Sequence, residues 1–345
     1  MAYTDIDNPE LYFQTKLYTA NNTGQAITFD GSENMQPDWV WIKSRTDTNS
    51  HNSWDSVRGV NKYLENDTTK VETTVTNGVT SFDANGFTVG DRDAINDGSL
   101  SFASWNWKAG GSASSNSNGS ITSSVSASTT AGFSIVSYTG TGSSATVGHG
   151  LGSAPSMIIT KNRTSSSWWG VFHASLGNTK SAYLNVNNAA ATGSEFWNNT
   201  SPTSSVFTVN TDGTSNENTK NYIAYCFAEK KGYSKFGSYT GNGSTDGTFI
   251  YTGFKPAFVI FKKTSSTANW SIRDNKRDSF NAGDTNLFAN LSDAESSSNN
   301  VDFLSNGIKL RNAGSNWNSS SASYIYMAFA ESPFVTSTGV PTTAR

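Results

Sequence analysis

Short segments in which apolar and polar residues alternate recur along the whole chain, separated by polar turns. Period-two alternation with aromatic and β-branched residues is typical of antiparallel strands, and the Asn, Gly and Ser residues between the segments favour turns. Asn85 and Gly86 separate two such segments, and both residues tolerate the positive φ of a tight hairpin. The pattern predicts an all-β protein built from antiparallel sheets.

The same order of landmarks occurs three times: a Tyr-Thr pair, a proline before an apolar strand that ends in lysine, a tryptophan, and an aromatic-rich closing strand. The landmarks begin at Tyr18, Tyr138 and Tyr239; Pro37, Pro155 and Pro256; Lys43, Lys161 and Lys262; Trp54, Trp169 and Trp270; and Phe102, Tyr222 and Tyr324. Tyr18 to Tyr138 is 120 residues and Pro37 to Pro155 is 118, while both kinds of landmark lie 101 residues apart between the second and third copies. This spacing predicts three tandem, jelly-roll-like β-sandwich units.

The predicted units are residues 1–109 with an N-terminal arm, residues 132–231 and residues 232–334. Residues 110–131 are nearly all Ser, Gly, Asn, Thr and Ala, which predicts a flexible linker. Residues 335–345 have little to bury and are predicted to form a loose tail.

Composition excludes several classes of protein. Ser, Thr, Asn and Gly make up 161 of the 345 residues, which disfavours helices, while 10 Trp, 13 Tyr and 20 Phe argue against disorder. The net charge of −3 gives no basic surface for nucleic acid, and no apolar run reaches the ~18 residues that a membrane span needs. We therefore expect neither nucleic-acid binding nor membrane insertion, and a buried thiol at the single cysteine, Cys226.

Catalytic chemistry needs a nucleophile with a base, paired carboxylates or a metal. His51, His149 and His173 are scattered, and no zinc spacing or phosphate-binding loop is present. We predict no enzymatic activity, catalytic residue, cofactor or metal. Residues 91–97 offer oxygens at alternating positions, but Arg92 opposes a cation, and the sequence leaves Ca²⁺ binding there open.

Two Asp-Arg pairs are candidates for a structural role. Asp55 and Arg58 lie three residues apart in the first unit, and Asp274 and Arg277 have the same spacing in the third. Such a pair can close a bidentate contact around a turn, so we predict a structural clamp at both places. The middle unit has His173 where an aspartate is expected.

The chain contains more large rings than three small cores need. The surplus includes Tyr63, Trp168, Trp169, Tyr183, Phe196, Trp197 and Trp317. An exposed ring can stack on a sugar face while neighbouring Asn, Ser or Asp groups bind its hydroxyls; the alternative for each ring is a place in a core. Trp197 and Trp317 lie in loops rich in Asn, Ser and Thr, and we predict that they are exposed and contact glycans.

Several segments of the first unit carry a family likeness. They are Tyr12-Phe13, Lys16 to Thr19, Met35 to Lys43, Asp55 to Gly59, Phe82 to Gly90 and Trp105 to Ala109. Residues 11–109 resemble a repeat domain of bacteriophage virion proteins, frequent in phages of marine bacteria and cyanobacteria, and the other two units resemble it more loosely. The resemblance implies a virion protein without a catalytic motif: a fibre, a tail-associated adhesin or a capsid decoration. The implied partners are other virion proteins, host-surface carbohydrate and further copies of the chain, which is assembled in the host cytoplasm.

With a flexible joint after the first unit, we expect residues 1–109 to attach to the particle and residues 132–331 to be displayed. The alternative function is a carbohydrate-active enzyme, such as a polysaccharide depolymerase, or its accessory module. An enzyme of that class needs two carboxyl groups roughly 5–10 Å apart in a cleft.

Overall fold

The computed structural model describes residues 3–342, apart from the side chains of residues 298–300. The chain is 43 % strand and 4 % helix, and it forms three tandem antiparallel β-sandwich units. The predicted all-β class is confirmed.

Unit one follows a short 3₁₀ turn at Pro9–Leu11 and contains one helical turn, α1 (Asp93–Asn96). Its strands are β1 (Phe13–Thr19), β2 (Gln25–Thr28), β3 (Trp39–Ser44), β4 (Asn52–Asp55), β5 (Lys62–Glu65), β6 (Thr73–Thr74), β7 (Val79–Asp83), β8 (Gly86–Val89) and β9 (Ser101–Trp107). The main sheet has the order β1-β9-β3-β4-β5-β6, and the covering sheet has the order β2-β8-β7. The hairpin between β7 and β8 is confirmed, but its turn is Ala84-Asn85 rather than Asn85-Gly86: Gly86 pairs with Asp83 as the first residue of β8, and only Gly86 has a positive φ, of 119°.

Unit two repeats this plan with a second helical turn, α2 (Ser194–Trp197), and a 3₁₀ turn at Ala174–Leu176. Its strands are β10 (Ser114–Asn116), β11 (Ser123–Ser128), β12 (Phe133–Thr139), β13 (Ala145–Gly148), β14 (Met157–Asn162), β15 (Gly170–His173), β16 (Lys180–Tyr183), β17 (Ala191–Thr192), β18 (Val206–Val209) and β19 (Asn221–Phe227). The main sheet has the order β10-β11-β12-β19-β14-β15-β16-β17, and β13 and β18 cover it.

Unit three is one sheet that curls over itself. Its strands are β20 (Ser234–Thr240), β21 (Phe249–Tyr251), β22 (Phe254–Lys263), β23 (Ser271–Asp274), β24 (Gly283–Phe288), β25 (Ser296–Leu304), β26 (Gly307–Leu310) and β27 (Ser323–Pro333). Their order is β20-β27-β22-β23-β24-β25-β26-β21. Val259 of β22 and Ile308 of β26 share one interior, so the two halves of the sheet face each other as a sandwich.

Each main sheet is buried on both faces. Along β3, Val40 and Ile42 point into the interior of unit one, whereas Trp39 and Trp41 point the other way into a core that all three units share. The equivalent strands β14 and β22 contribute to this shared core in the same way. The three sandwiches are therefore arranged around one common interior.

Aromatic rings fill the centre of the shared core. Trp39 stacks on Tyr225 of unit two at 4.2 Å and on Trp107 at 4.5 Å, between ring centroids. Trp107 also meets Phe258 of unit three at 5.7 Å, edge to face, and Phe227 of unit two meets Phe329 of unit three at 5.9 Å. Because offset and edge-to-face ring contacts stabilise beyond the area they bury, these rings join all three units.

The predicted flexible linker at residues 110–131 is wrong. This stretch forms β10 and β11, which extend the main sheet of unit two, with Val125 opposite Val136 of β12. The carboxylate of Asp38 accepts hydrogen bonds from the backbone N–H groups of Ala109 (2.7 Å) and Gly111 (3.3 Å), which fixes the passage between the units. Strands at a sheet edge are held by backbone hydrogen bonds, which a Ser-rich sequence supplies as well as any other.

Both termini are tied to the body of the protein. Thr4 Oγ1 donates a 2.8 Å hydrogen bond to the carbonyl oxygen of Lys231, and Ile6 belongs to the shared core. The tail predicted to be loose turns back through residues 335–342, and Ser337 N donates a 2.6 Å hydrogen bond to Asp7. Residues 343–345 lie outside the described residues.

Unit one supplies nine of the 32 buried residues of the shared core, so residues 1–109 are packed against residues 132–331 and are not separated from them by a flexible joint. The flexible joint on which the predicted attached and displayed parts depended is thus not present, and the division itself stays a prediction.

Removing unit one should destroy the fold of the other two units. A fragment of residues 110–345 keeps every strand of units two and three but exposes Tyr225, Phe227 and Phe258 on the side where Trp39 and Trp107 lie. We expect aggregation, strong binding of a hydrophobic dye and no cooperative thermal transition, whereas the full chain shows one. A monomeric fragment with a sharp transition and native near-ultraviolet circular dichroism would contradict the shared core.

Candidate functional site

The three units contact one another in a cycle, giving interfaces 1–2, 2–3 and 3–1. Strand registers identify equivalent positions, since Asp55 pairs with Trp39, His173 with Met157 and Asp274 with Phe258. Asp55, His173 and Asp274 therefore occupy one position in three units. At each interface this position faces the closing strand of the next unit.

At interface 1–2, Asp55 and Arg58 form a fully buried ion pair with 2.5 Å between Oδ2 and Nε. The hydroxyl of Tyr225, from unit two, donates a 2.7 Å hydrogen bond to Asp55 and accepts one of 3.3 Å from Arg58. Burial would lower the pKa of Arg58, but Asp55, Tyr225 and Glu72 raise it above its ordinary value. The two clamp residues thus hold a loop, as the sequence suggested, and also join two units.

Glu72 extends this network across the interface. Its carboxylate accepts bidentate hydrogen bonds of 2.7 and 3.0 Å from Arg163 of unit two and lies 3.6 Å from Arg58. The neighbouring cations, Arg163 foremost, hold the pKa of Glu72 below its usual range despite burial, which by itself would raise it. Bidentate arginine–carboxylate contacts fix orientation as well as distance.

Interface 3–1 repeats the arrangement. Asp274 and Arg277 are 2.6 Å apart and fully buried, and the indole N–H of Trp105 in unit one donates a 3.0 Å hydrogen bond to Asp274. Glu295 contacts Arg277 at 3.1 Å and accepts bidentate hydrogen bonds of 3.0 and 2.8 Å from Arg45 of unit one.

Interface 2–3 lacks every ionic member of this network. The residues equivalent to Asp55, Arg58, Glu72, Arg163 and Tyr225 are His173, Leu176, Ala190, Thr264 and Met327. His173 Nε2 bonds the carbonyl oxygen of Tyr326 at 3.1 Å, and Ala190 N donates to Thr264 O at 3.1 Å. Burial lowers the pKa of His173 to about 4, so the imidazole is neutral. The replacements occur as a set because a single missing partner would leave a buried charge unpaired.

Three ring nitrogens also cross the interfaces to a backbone carbonyl oxygen. They are Trp169 Nε1 to Glu65 (3.0 Å), Trp270 Nε1 to Tyr183 (2.7 Å) and His51 Nε2 to Phe288 (3.0 Å). The sequence predicts that Trp54, Trp169 and Trp270 are equivalent landmarks of the repeat. For Trp54 this is wrong, because it lies in the interior of unit one and not at an interface. The correct signal was available: His51, Trp169 and Trp270 each stand 14 residues after the landmark proline of their unit.

The lysine at the end of each apolar strand is buried at an interface. Lys161 Nζ donates to the carbonyl oxygens of Thr69 in unit one (3.0 Å) and Ser167 (2.6 Å), and Lys262 Nζ donates to those of Asn187 in unit two (3.0 Å) and Ala268 (2.7 Å). Burial lowers the pKa of both lysines to about 7. Lys43 bonds Ser44 and Asp47, and burial lowers its pKa to about 8.

The prediction that Trp197 and Trp317 are exposed is wrong, since each is only 2 % exposed. Trp197 meets Phe172 edge to face at 5.8 Å inside unit two. Trp317 lies beneath the guanidinium of Arg273, 5.2 Å from its ring centre, and donates a 2.8 Å hydrogen bond to Asn312. Their polar loops fold back over the sandwich, so loop composition did not indicate the position of the ring.

Trp168 is the exposed tryptophan. All ten tryptophans lie within the described residues, and nine are at most 2 % exposed, whereas Trp168 is 41 % exposed. It stands beside a shallow cleft of about 320 Å³ at interface 1–2, lined also by Thr69, Ser166, Ser167, Asp212 and Thr214. A second surface groove of similar size lies between Tyr3, Tyr251 and Phe334, where both termini meet unit three.

In the loop at residues 91–97, the side chains of Asp91 and Arg92 are bound to other side chains of unit one. Asp91 accepts a hydrogen bond from Asn77, and Arg92 lies over the ring of Tyr63 and donates to its hydroxyl at 2.7 Å. Within residues 3–342, leaving aside the undescribed side chains, no three His, Cys, Asp or Glu residues form a group that could hold a metal ion. The helices in that part of the chain are too short to cross a bilayer.

A family model described as "Domain of unknown function (DUF7483)" matches residues 8–333, almost the whole chain. The chain belongs to the DUF7483 family. No curated protein matches the sequence. The DUF7483 match begins in the N-terminal arm and ends with β27, so one family domain covers all three sandwiches and their shared core.

Arg58→Leu should destabilise this DUF7483 protein strongly, by about 3–5 kcal/mol, because it leaves buried Asp55 without its cation. The fivefold variant D55H/R58L/E72A/R163T/Y225M gives interface 1–2 the residues of interface 2–3, and we expect it to lose less stability than Arg58→Leu alone. Chemical denaturation would measure both.

The matched control is Lys235→Leu, which breaks a solvent-accessible pair with Glu229 and should cost less than about 1 kcal/mol. A fivefold variant as unstable as Arg58→Leu, or worse, would show that the residues of the two interfaces are not interchangeable sets.

Stability should rise with pH between about 7 and 8.5. The pKa of Lys161 falls from 10.5 to about 7 on folding, so the unfolded chain binds more protons across this range. Lys161→Met should lower the slope of unfolding free energy against pH by up to ~1.4 kcal/mol per pH unit, whatever its effect on overall stability. Exposed Lys180→Met is the control, and an unchanged slope in Lys161→Met would refute the assignment. Higher pH is avoided because burial also raises the pKa of the Cys226 thiol, whose effect has the opposite sign.

Proposed function

We propose that this DUF7483 protein is a structural component of a bacteriophage particle: a fibre, tail-associated or capsid-decorating module that contacts other virion proteins and host-surface glycans. The observation that carries the proposal is the closure of three sandwiches around one aromatic core within a single chain. A module of this kind presents a large, rigid surface without depending on disulfides or metals. The likeness of residues 11–109 to a repeat domain of virion proteins points to the same class.

The use of buried charge also supports a structural role. Asp55, Arg58 and Glu72 are bound to one another and to unit two, and the corresponding groups at interface 3–1 are used in the same way. Clusters of buried charged groups often mark active sites, but here the charged groups are bound to one another and to the neighbouring unit. These charged groups therefore hold the units together.

A polysaccharide depolymerase is less well supported. Glycoside hydrolysis uses two carboxyl groups that face each other across an accessible cleft. Asp55 and Glu72 share Arg58 in a buried interface, while the Trp168 cleft is lined by one carboxylate, Asp212. We therefore propose attachment without cleavage.

The chain should be found on phage particles. An antibody raised against the recombinant protein should label purified particles in immunogold microscopy, and the chain should follow the major capsid protein through a density gradient. Antibody preabsorbed with the recombinant protein is the control. A chain that stays with soluble lysate proteins throughout purification would contradict the proposal.

A further inference from the structure

We propose that the Trp168 cleft binds an uncharged hexopyranose of a glycan. The inference deepens the attachment role proposed above, and it rests on that role only for the origin of the sugar on a host surface. The binding itself follows from the geometry of the cleft.

The indole of Trp168 provides a rigid, open apolar face. Its ring lies 4.8 Å from that of Tyr183 at an angle of 59°, and Tyr183 is itself 7 % exposed, so the indole is braced from within. Trp168 is 41 % exposed, whereas the nine other tryptophans are at most 2 % exposed, so this indole alone among them can offer its face to a ligand. Because the ring is already held in place, binding costs little conformational entropy.

The rim of the cleft consists of groups that suit hydroxyls. Asp212 is oriented by hydrogen bonds to its Oδ1 from Thr214 N (2.8 Å) and Thr214 Oγ1 (2.5 Å). Thr69 and Ser166 add hydroxyl groups, which both donate and accept hydrogen bonds. An apolar surface with a few oriented polar groups is the usual form of a small-molecule site, and about 320 Å³ lies at the small end of the ~300–1,000 Å³ range.

The floor of the cleft is fixed by the interface beneath it. Lys161 Nζ donates to the carbonyl oxygens of both Thr69 and Ser167, and Ser167 N donates to Thr69 O at 3.1 Å. These bonds hold the unit-one side of the cleft against the unit-two side. The site is therefore preorganised only in the closed, three-unit protein.

Charge and hydrogen bonding select the class of sugar. The carboxylate of Asp212 accepts hydrogen bonds from sugar hydroxyls but repels the carboxylate of a uronic or sialic acid. A quaternary ammonium ion could also lie over an indole, yet it has no group that can hydrogen-bond to the hydroxyls of the rim. A neutral hexopyranose uses both the ring and the rim.

The exposed tryptophan that defines this cleft occurs in unit two and in neither of the other units. The positions equivalent to Trp168 are Ser50 in unit one and Asn269 in unit three, 118 residues before and 101 residues after it. Neither can provide a stacking surface, so we expect one sugar site per chain.

The test is a titration of the full chain with neutral oligosaccharides made of glucose, galactose or mannose, followed by calorimetry and by acrylamide quenching of tryptophan fluorescence. Since Trp168 is the exposed tryptophan, a bound sugar should protect the fluorescence from quenching. Trp168→Ala and Asp212→Asn should each weaken binding at least about tenfold. Asparagine keeps an acceptor for Thr214, so Asp212→Asn should fold normally.

Tyr251→Ala is the matched control, because Tyr251 is 60 % exposed in the other groove, and this variant should bind as the wild type does. Equal binding by Trp168→Ala, a preference for acidic sugars or for tetramethylammonium, or no saccharide binding at millimolar concentrations would overturn the assignment. Trp168→Ala should still be incorporated into particles, so loss of the sugar site and loss of the virion role can be told apart.

Discussion

The burial of both faces of each main sheet is the constraint on which the rest of the structure depends. In β3, Trp39 and Trp41 alternate with Val40 and Ile42, so covering one face leaves two tryptophans on the other. Each aromatic side chain buries roughly 150–250 Å², which a single unit cannot hide by itself. The three main sheets bury these outer faces by packing them against one another. The arrangement forms a closed ring because each unit contacts both of the others.

The packing of the three units around one core in turn restricts which charged side chains can lie at the interfaces between them. An interface beside an aromatic core has a low effective dielectric constant, so its charges must be paired in full or removed in full. Interfaces 1–2 and 3–1 follow the first course, with Arg58 and Arg277 each held between two carboxylates. Interface 2–3 follows the second, with a neutral imidazole at His173 and apolar Leu176. Both solutions therefore occur in one fold, at different interfaces.

Sequence reasoning found the repeat, the strands and the Asp-Arg pairs, because these depend on neighbours that lie close along the chain. It did not find the shared core, although Trp39 to Ile42 is an unbroken apolar run of the kind expected when both faces are covered. Partners such as Glu72 for Arg163 lie 91 residues apart in different units and carry no local signal. Loop composition was misleading for Trp197, Trp317 and residues 110–131, because polar sequences can also cover a ring or extend a sheet edge.

The same division explains why the candidate binding site occurs at interface 1–2 and not at the other two interfaces. Residues that face the shared core are constrained by two other units, so Lys43, Lys161 and Lys262 keep one position and one kind of partner. Trp168 is exposed although it stands next to buried Trp169, and its position differs among the units, with Ser50 and Asn269 at the equivalent places. Because Thr69 on its far side belongs to unit one, a ligand in the cleft contacts two units and binds only the closed form. A ligand that binds only the closed form would stabilise it by mass action.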